Sequence, residues 1–163
     1  MSTVTDARAT TQIYRIFIKA TPEAIWTAIT DPEWAGRYGY GGHVEYELRP
    51  GGQYRVRPSD EMRAYGAPDV MLVGEVIEAE APRRLVQTWH PLWDPASAAE
   101  AVTRLTWEIE PQGTFSKLTV SHDVAGAPLA GRMVNGDVPE AGGGWDWIIS
   151  DMKSVLETGV SMR

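Results

Sequence analysis

The chain has 163 residues, 43% hydrophobic and 23% charged, the size of one domain that can bury an ordinary core without help from disulfides or metals. Fifteen Lys and Arg against 22 Asp and Glu leave a net charge of −7, the wrong sign for a phosphate-tracking surface, so nucleic acid is excluded as the expected partner. The lack of any cysteine excludes disulfide scaffolds, thiol nucleophiles, thiolate zinc sites and iron–sulfur clusters.

Residues 1–11 are small and polar, without the apolar centre of a secretory signal. They predict a loosely ordered tail ahead of one domain over residues 12–160. No run approaches the roughly 20 apolar residues of a membrane span, so the expectation is a cytoplasmic protein with no membrane insertion. From Ile13 a mostly apolar, β-branched run predicts the first strand. Thr21-Pro22-Glu23 and Asp31-Pro32-Glu33 each place a capping side chain, a tolerated proline and an acid in order, which predicts two short helices in succession.

From Val44 the apolar period becomes two, turns at Pro50-Gly51-Gly52 and resumes at Tyr54 and Val56, a hairpin. Residues 58–68 read as a loop, residues 70–80 as a strand bulged at Gly74, residues 85–90 as another, and residues 91–100 as a second loop. Residues 102–110 and the run carrying Leu118, Val120 and His122 close the set around a turn at Pro111-Gln112-Gly113, which makes seven mainly antiparallel strands. Residues 124–138 are rich in Gly and Pro and read as a third loop. Trp145, Ile148, Ile149, Met152, Val155 and Leu156 then follow helical spacing up to Gly159. That helix begins either at Asp137-Val138-Pro139-Glu140 or near Gly144. With about 20 residues and a length near 30 Å it is the element able to cover a curved sheet. The order predicts an α+β layer architecture.

This order of elements, with residues 20–26 (ATPEAIW), Gly74-Glu75-Val76-Ile77-Glu78, Arg84-Leu85 with Thr88-Trp89, and Gly144-Trp145-Asp146-Trp147 leading to Gly159, resembles the SRPBCC superfamily of START and birch-pollen-allergen-like proteins. Within it the chain is similar to the branch named for homologues of the activator of the heat-shock protein 90 ATPase. The resemblance implies a helix-grip fold: a seven-stranded curved antiparallel sheet around a long C-terminal helix, two short helices after the first strand, and an apolar tunnel between sheet and helix. In relatives that tunnel holds lipids, polyketides, flavonoids or steroid-like molecules, and some relatives are aromatases or cyclases. The eukaryotic activator carries an additional N-terminal domain with no counterpart in this sequence, which counts against a chaperone role.

Strand parity turns Tyr46, Tyr54, Val56, Leu85, Gln87, Trp89, Leu105, Trp107, Leu118, Val120 and His122 toward the helix, which offers Trp145, Ile148, Ile149 and Met152 in return. Broad aromatic faces with a single polar handle suit a flat ligand, and the same residues equally suit a plain core in a protein with seven Trp, six Tyr and only two Phe. The expected partner is a small hydrophobic, aromatic or lipid-like molecule, with no cofactor and no metal, since His43, His90 and His122 lack ligand spacing. A homodimer is left open. His122 is the one candidate for acid–base work in a cyclase-like alternative, which would need neither metal nor covalent nucleophile; a satisfied histidine at the sheet edge is the competing reading. Glu45, Glu108, Arg15, Arg55, Arg57 and Arg104 have outward parity, and Asp146 reads as helix-end electrostatics. Residues 39–42 (GYGG) read as a hinge or mouth, rimmed by the three loops. A third alternative, an ATPase-regulating interaction module, predicts an exposed apolar patch and no sizeable cavity.

Overall fold

The first of the two cap-and-proline signatures folds as read: Thr21 accepts from the Ala24 amide at 3.2 Å and starts α1, Pro22–Thr30. Asp31 ends that helix and caps α2, Pro32–Ala35, through the amides of Glu33 and Trp34. The structure is a computed structural model that describes residues 10–163. Strand β1, Thr11–Ile18, begins two residues before the alternation predicts, because Thr10 and Thr11 are already tied to the end of the last strand. The rest of the expected tail lies outside the described residues.

The other strands are β2 (His43–Tyr46), β3 (Gln53–Arg57), β4 (Leu72–Glu80), β5 (Arg84–Pro91), β6 (Thr103–Gln112) and β7 (Phe115–Asp123). They form one antiparallel sheet in the order β1-β7-β6-β5-β4-β3-β2. Neighbours in sequence pair as a meander, and β1 closes on β7, so β1 and β2 are the two edges and α1 and α2 carry the chain between them. On the inner face Ile18, Leu85, Leu105, Ile109, Leu118 and Val120 are fully or nearly fully buried. Period two holds on the other face, where Ile13 and Phe17 are about half exposed.

Four expectations need correction. Each of the three loops contains a helix: α3 (Asp60–Ala64), α4 (Pro95–Ala98) and α5 (Pro128–Val134). At four to seven residues they are too short to show a buried stripe, so only their starts could have marked them. The bulge lies not at Gly74 but at Ile77, where the β4–β5 register shifts between Val76 and Glu78. Gly74 stays in register opposite Tyr54 and serves a different purpose: a Cβ there would lie 2.0 Å from the Thr88 carbonyl oxygen, so the close approach of β4 to β5 requires glycine.

The last helix, α6, spans Gly144–Thr158, 15 residues or about 22 Å, shorter than expected. A 3-10 turn, Pro139–Ala141, takes up the earlier candidate start. Gly144 has φ +69°, and its missing Cβ leaves space for the Val134 carbonyl, so the chain can turn sharply under α5 into α6. Gly159 closes the helix in the left-handed region, its amide bonded to the Val155 carbonyl at 2.8 Å. Within the described residues no helix is long and apolar enough to cross a membrane.

Gly74→Ala forces β4 and β5 apart. The expected loss is about 3 kcal/mol of unfolding free energy in urea denaturation, at the upper end of overpacking costs, and a loss near zero would show that the two strands can separate freely there.

Candidate functional site

Two anchors set where α6 lies. Near its C-terminus, Lys153 Nζ donates to the Phe17 carbonyl at 2.6 Å and to Glu157 at 2.7 Å, and Glu157 accepts from the Lys19 amide at 2.8 Å, which fastens this half of the helix along β1. At its N-terminus the Trp145 indole donates to His122 Nδ1 at 3.0 Å. An indole N–H can only donate, so Nδ1 accepts, and the ring proton sits on Nε2. Nε2 then donates to Thr103 Oγ1 at 2.7 Å, and Thr103 passes its own proton to the Trp89 carbonyl at 2.8 Å. Helix, β7, β6 and β5 are joined by one continuous chain.

Held along β1 at one end and on β7 at the other, α6 leaves a wedge of space on the side of β2, β3 and β4. A cavity of about 200 Å³ fills it. Val44, Tyr46, Tyr54, Val56 and Leu72 form one wall, Trp89, Trp93 and Trp107 the floor, Trp145 and Ile148 the helix side, and Ile29, Ala35 and Tyr38 the end under α1 and α2. Residues 39–42, of which Tyr40 is exposed, complete the lining with Met62 of α3 and Met133 and Val134 of α5. Tyr40, itself part of the lining, stacks on Trp147 with ring centroids 5.2 Å apart.

Of the residues that sequence parity points toward the helix, Tyr46, Tyr54, Val56, Trp89, Trp107, Trp145 and Ile148 come together on this cavity. Gln87, Leu105, Val120, His122, Ile149 and Met152 face the same layer but lie behind it, fully or almost fully buried and away from the lining. Gln87 supports the wall: the Tyr46 hydroxyl donates to its Oε1 at 2.5 Å. Burial pushes the Tyr46, Tyr54 and Tyr38 phenols up, so all three stay protonated at neutral pH. Tyr38 donates to the Ala28 carbonyl at 2.8 Å.

His122 has no exposure and both ring nitrogens committed. Burial lowers its pKa to about 4, against a smaller opposing pull from Asp123. A neutral imidazole with no face on the cavity holds Trp145 in place rather than moving protons for a bound molecule. His43 is exposed, and His90 is half-buried on the other parity. No group of three or more His, Cys, Asp or Glu among the described residues is arranged to hold a metal. Of the outward carboxylates, Glu45 pairs with Arg57, and Glu78 and Glu108 pair with Arg84.

Sequence reasoning missed Asp151. This fully buried carboxylate on α6 accepts from the Gly39 amide at 2.9 Å, the Ser161 hydroxyl at 2.8 Å and the Met162 amide at 2.5 Å. It fastens the mouth segment and residues 160–163 to one point of the helix, and Arg163 adds a bond of 3.0 Å to the Gly36 carbonyl. Burial alone would raise its pKa; the amide of Met162, the Ser161 hydroxyl, the amide of Gly39 and the charge of Arg163 outweigh it and hold the carboxyl below the usual aspartate value. An Asp inside the apolar stripe of a helix was the available signal. The cavity residues Met62 and Met133 carried none, since they come from segments read as loops, and Met71 fell within the strand read over residues 70–80 without being singled out.

The family model described as "Activator of Hsp90 ATPase homolog 1-like protein" matches residues 19–157. No curated protein matches the chain. Among solved structures, CalU16 from Micromonospora echinospora superposes with a TM-score of 0.51 and 21% identity in its crystal form, over 69% of this chain and 59% of that one. Its solution structure gives 0.63 and 18%, over 92% and 67%. PFC0360w, an HSP90 activator from Plasmodium falciparum, gives 0.62 and 18%, over 91% of this chain and 96% of that one. DynU16, a protein of the dynemicin biosynthetic locus, gives 0.68 and 22%, over 94% and 49%. The chain therefore spans only about half the length of DynU16 and well under two thirds of crystalline CalU16. At these identities the likeness establishes the helix-grip fold.

Two measurements check the anchors. Because the folded-state pKa of His122 is depressed, its contribution is complete above its unfolded value near 6.5 and is lost as pH falls toward 4. Urea unfolding at pH 7 and 4.5 is expected to differ by about 2 to 3 kcal/mol from this group, a component that disappears in His122→Gln. Asp151→Ala strands the buried Gly39 amide and frees the part-buried amide of Met162. It is expected to cost about 2 to 3 kcal/mol and to speed hydrogen exchange at those two positions; unchanged exchange there would remove Asp151 as the fastener of the mouth.

Proposed function

We propose that this chain, which belongs to the Activator of Hsp90 ATPase homolog 1-like family, holds a small, ring-bearing hydrophobic molecule in the cavity between α6 and the β2–β6 side of the sheet. The observation that carries this reading is the lining itself. Seven aromatic rings, those of Tyr38, Tyr40, Tyr46, Tyr54, Trp89, Trp93 and Trp107, meet Trp145 and three methionines around one void, and no side chain with a charge enters it. Such a surface binds by excluding water from flat apolar area, with methionines filling in around irregular shapes. An apolar void of about 150 Å³ already accommodates benzene, so a mouthed cavity of about 200 Å³ suits a modest ring system better than a long acyl chain.

Binding rather than turnover is the role the geometry supports. The buried phenols are held protonated, the one inner-face histidine is engaged on both nitrogens, and no carboxylate faces the space. The glycine-rich mouth, held at Gly39 by Asp151, supplies the opening through which a ligand passes.

Titration with a panel of flavonoids, polyketides and fatty acids, read by intrinsic Trp fluorescence and thermal unfolding, tests this. A ring-bearing compound is expected to quench and, at a hundredfold excess over Kd, to add about 2.7 kcal/mol of stability. Ile148→Trp, which fills the cavity from the helix side, is expected to abolish both effects while leaving the fold intact. Failure of every compound to quench or protect would overturn the reading.

A further inference from the structure

Strand β1 closes one edge of the sheet, and among the described residues no strand pairs with its other side. Which of its backbone groups face outward follows from three contacts. The Thr10 carbonyl accepts from the Val124 amide at 2.9 Å, so in the register that joins Gln12 to His122 the even-numbered residues bond to β7. The odd-numbered residues then direct N–H and C=O away from it. Two of their groups do so visibly: the Phe17 carbonyl accepts from Lys153 Nζ at 2.6 Å, and the Lys19 amide donates to Glu157 at 2.8 Å. The groups of Ile13 and Arg15 and the Phe17 amide point the same way without such a contact.

The side chains on this edge alternate as the backbone does. Ile13, Arg15, Phe17 and Lys19 share the outer face and are exposed, Ile13 and Phe17 by about half. Phe115 extends the apolar part, edge-on to Phe17 with centroids 5.8 Å apart, and Lys117 stands opposite Phe17 in register. With Lys153 beside Phe17, all three lysines of a chain of net charge −7 gather at this edge. Glu110 and Glu157 pair with Lys117 and Lys153, whereas Arg15 and Lys19 make no ion pair among the described residues.

An open edge is a template for one more strand, and its charges decide whose. A second copy of β1 fits poorly, because residues 11–19 hold no acid and no register of one copy on another gives Arg15 or Lys19 a counter-charge. We propose that β1 takes an extended acidic segment of a partner protein, in which Asp or Glu alternates with apolar residues. Its acids lie against Arg15 and Lys19, its apolar side chains against Ile13 and Phe17, and its backbone bonds to the groups of Ile13 and Arg15 and to the Phe17 amide. Lys153 and Glu157 already occupy the edge beyond that amide, so pairing stops there and Lys19 meets its acid through the side chain alone. No residue of β1 lines the cavity, so this surface is separate from the ligand site and does not depend on it.

The probe is a capped octapeptide of alternating Glu and Val, titrated into the isotope-labelled chain at neutral pH and low salt and followed by amide NMR. A capped octapeptide of alternating Lys and Val and vesicles of phosphatidylglycerol serve as comparisons. The Glu peptide is expected to bind about tenfold more tightly than the Lys peptide, to weaken as salt rises, and to slow hydrogen exchange at the amides of Ile13, Arg15 and Phe17. Arg15→Glu, an exposed substitution that breaks no ion pair among the described residues, is expected to weaken the Glu peptide about fivefold and to favour the Lys peptide. Absence of Glu-peptide binding at millimolar concentration, equal binding of the two peptides, or slowed exchange elsewhere but not at those amides overturns the proposal, as does an unchanged Glu-peptide affinity in Arg15→Glu. Binding to the vesicles without binding to the Glu peptide also overturns it and assigns the face to an anionic lipid surface. The cavity reading stands or falls separately, since none of these measurements involves a cavity ligand.

Discussion

The hydrogen-bond chain that runs from Trp145 through His122 and Thr103 to the carbonyl of Trp89 joins the start of α6 to three adjacent strands. Each member is buried, each has one way to satisfy its protons, and the single arrangement that does so requires a neutral imidazole protonated on Nε2. The position of Trp145 follows from it, and from Trp145 follows the shape of the cavity, since its ring stands edge-on to Trp107 and forms the helix-side wall. The ion pair and carbonyl contact of Lys153 at the other end of the helix are partly exposed and contribute less energy, but they set the direction in which α6 leaves the sheet. A helix fastened at both ends to one side of the sheet has to leave space on the other.

Charge is partitioned with the same economy. The ion pairs among the described residues sit on the outer face or on exposed helix surfaces, where water screens them and their contribution to stability is small. The exception among carboxylates is Asp151, fully buried yet supplied with three donors. Its acceptors are engaged by Gly39 and by residues 160–163, so the segment 39–42 shares an anchor with the end of the described chain. The interior face, by contrast, presents broad aromatic area to the cavity and no charged side chain.

Much of the fold was legible because it rests on local rules. Thr21 and Asp31 cap the helices that their spacing from Pro22 and Pro32 announces, and the alternation from Val44 onward agrees with the burial of Val44, Tyr54, Leu85, Trp89, Leu105, Trp107, Leu118 and Val120, while Leu48 at its first turn is exposed. Helices α3, α4 and α5 were not read, although Asp94-Pro95 repeats the Asp31-Pro32 signature and Asp94 does cap α4 through the Ser97 amide at 2.7 Å. A helix of four residues has too few positions to show a periodic stripe, and its stability comes from the elements it touches. Gly74 was visible as an anomaly in a strand. Whether it served a bulge or a close approach depended on how near Thr88 of β5 comes, which no property of β4 reveals.

The candidate site divides along the same line. Period two and helical spacing, which follow from backbone geometry, determined by sequence alone that Tyr46, Tyr54, Trp89, Trp107, His122 and Trp145 share one layer. Only the tertiary structure decided that four of the seven Trp line a cavity, that His122 stands behind it as a pin, and that Met62, Met133 and the residues 39–42 complete its lining. Parity reports the face a side chain points to. Its depth along that face is set by where a distant helix is fastened, and that distance is closed only when residues far apart in the chain, 122 and 145 or 39 and 151, come within a hydrogen bond of each other.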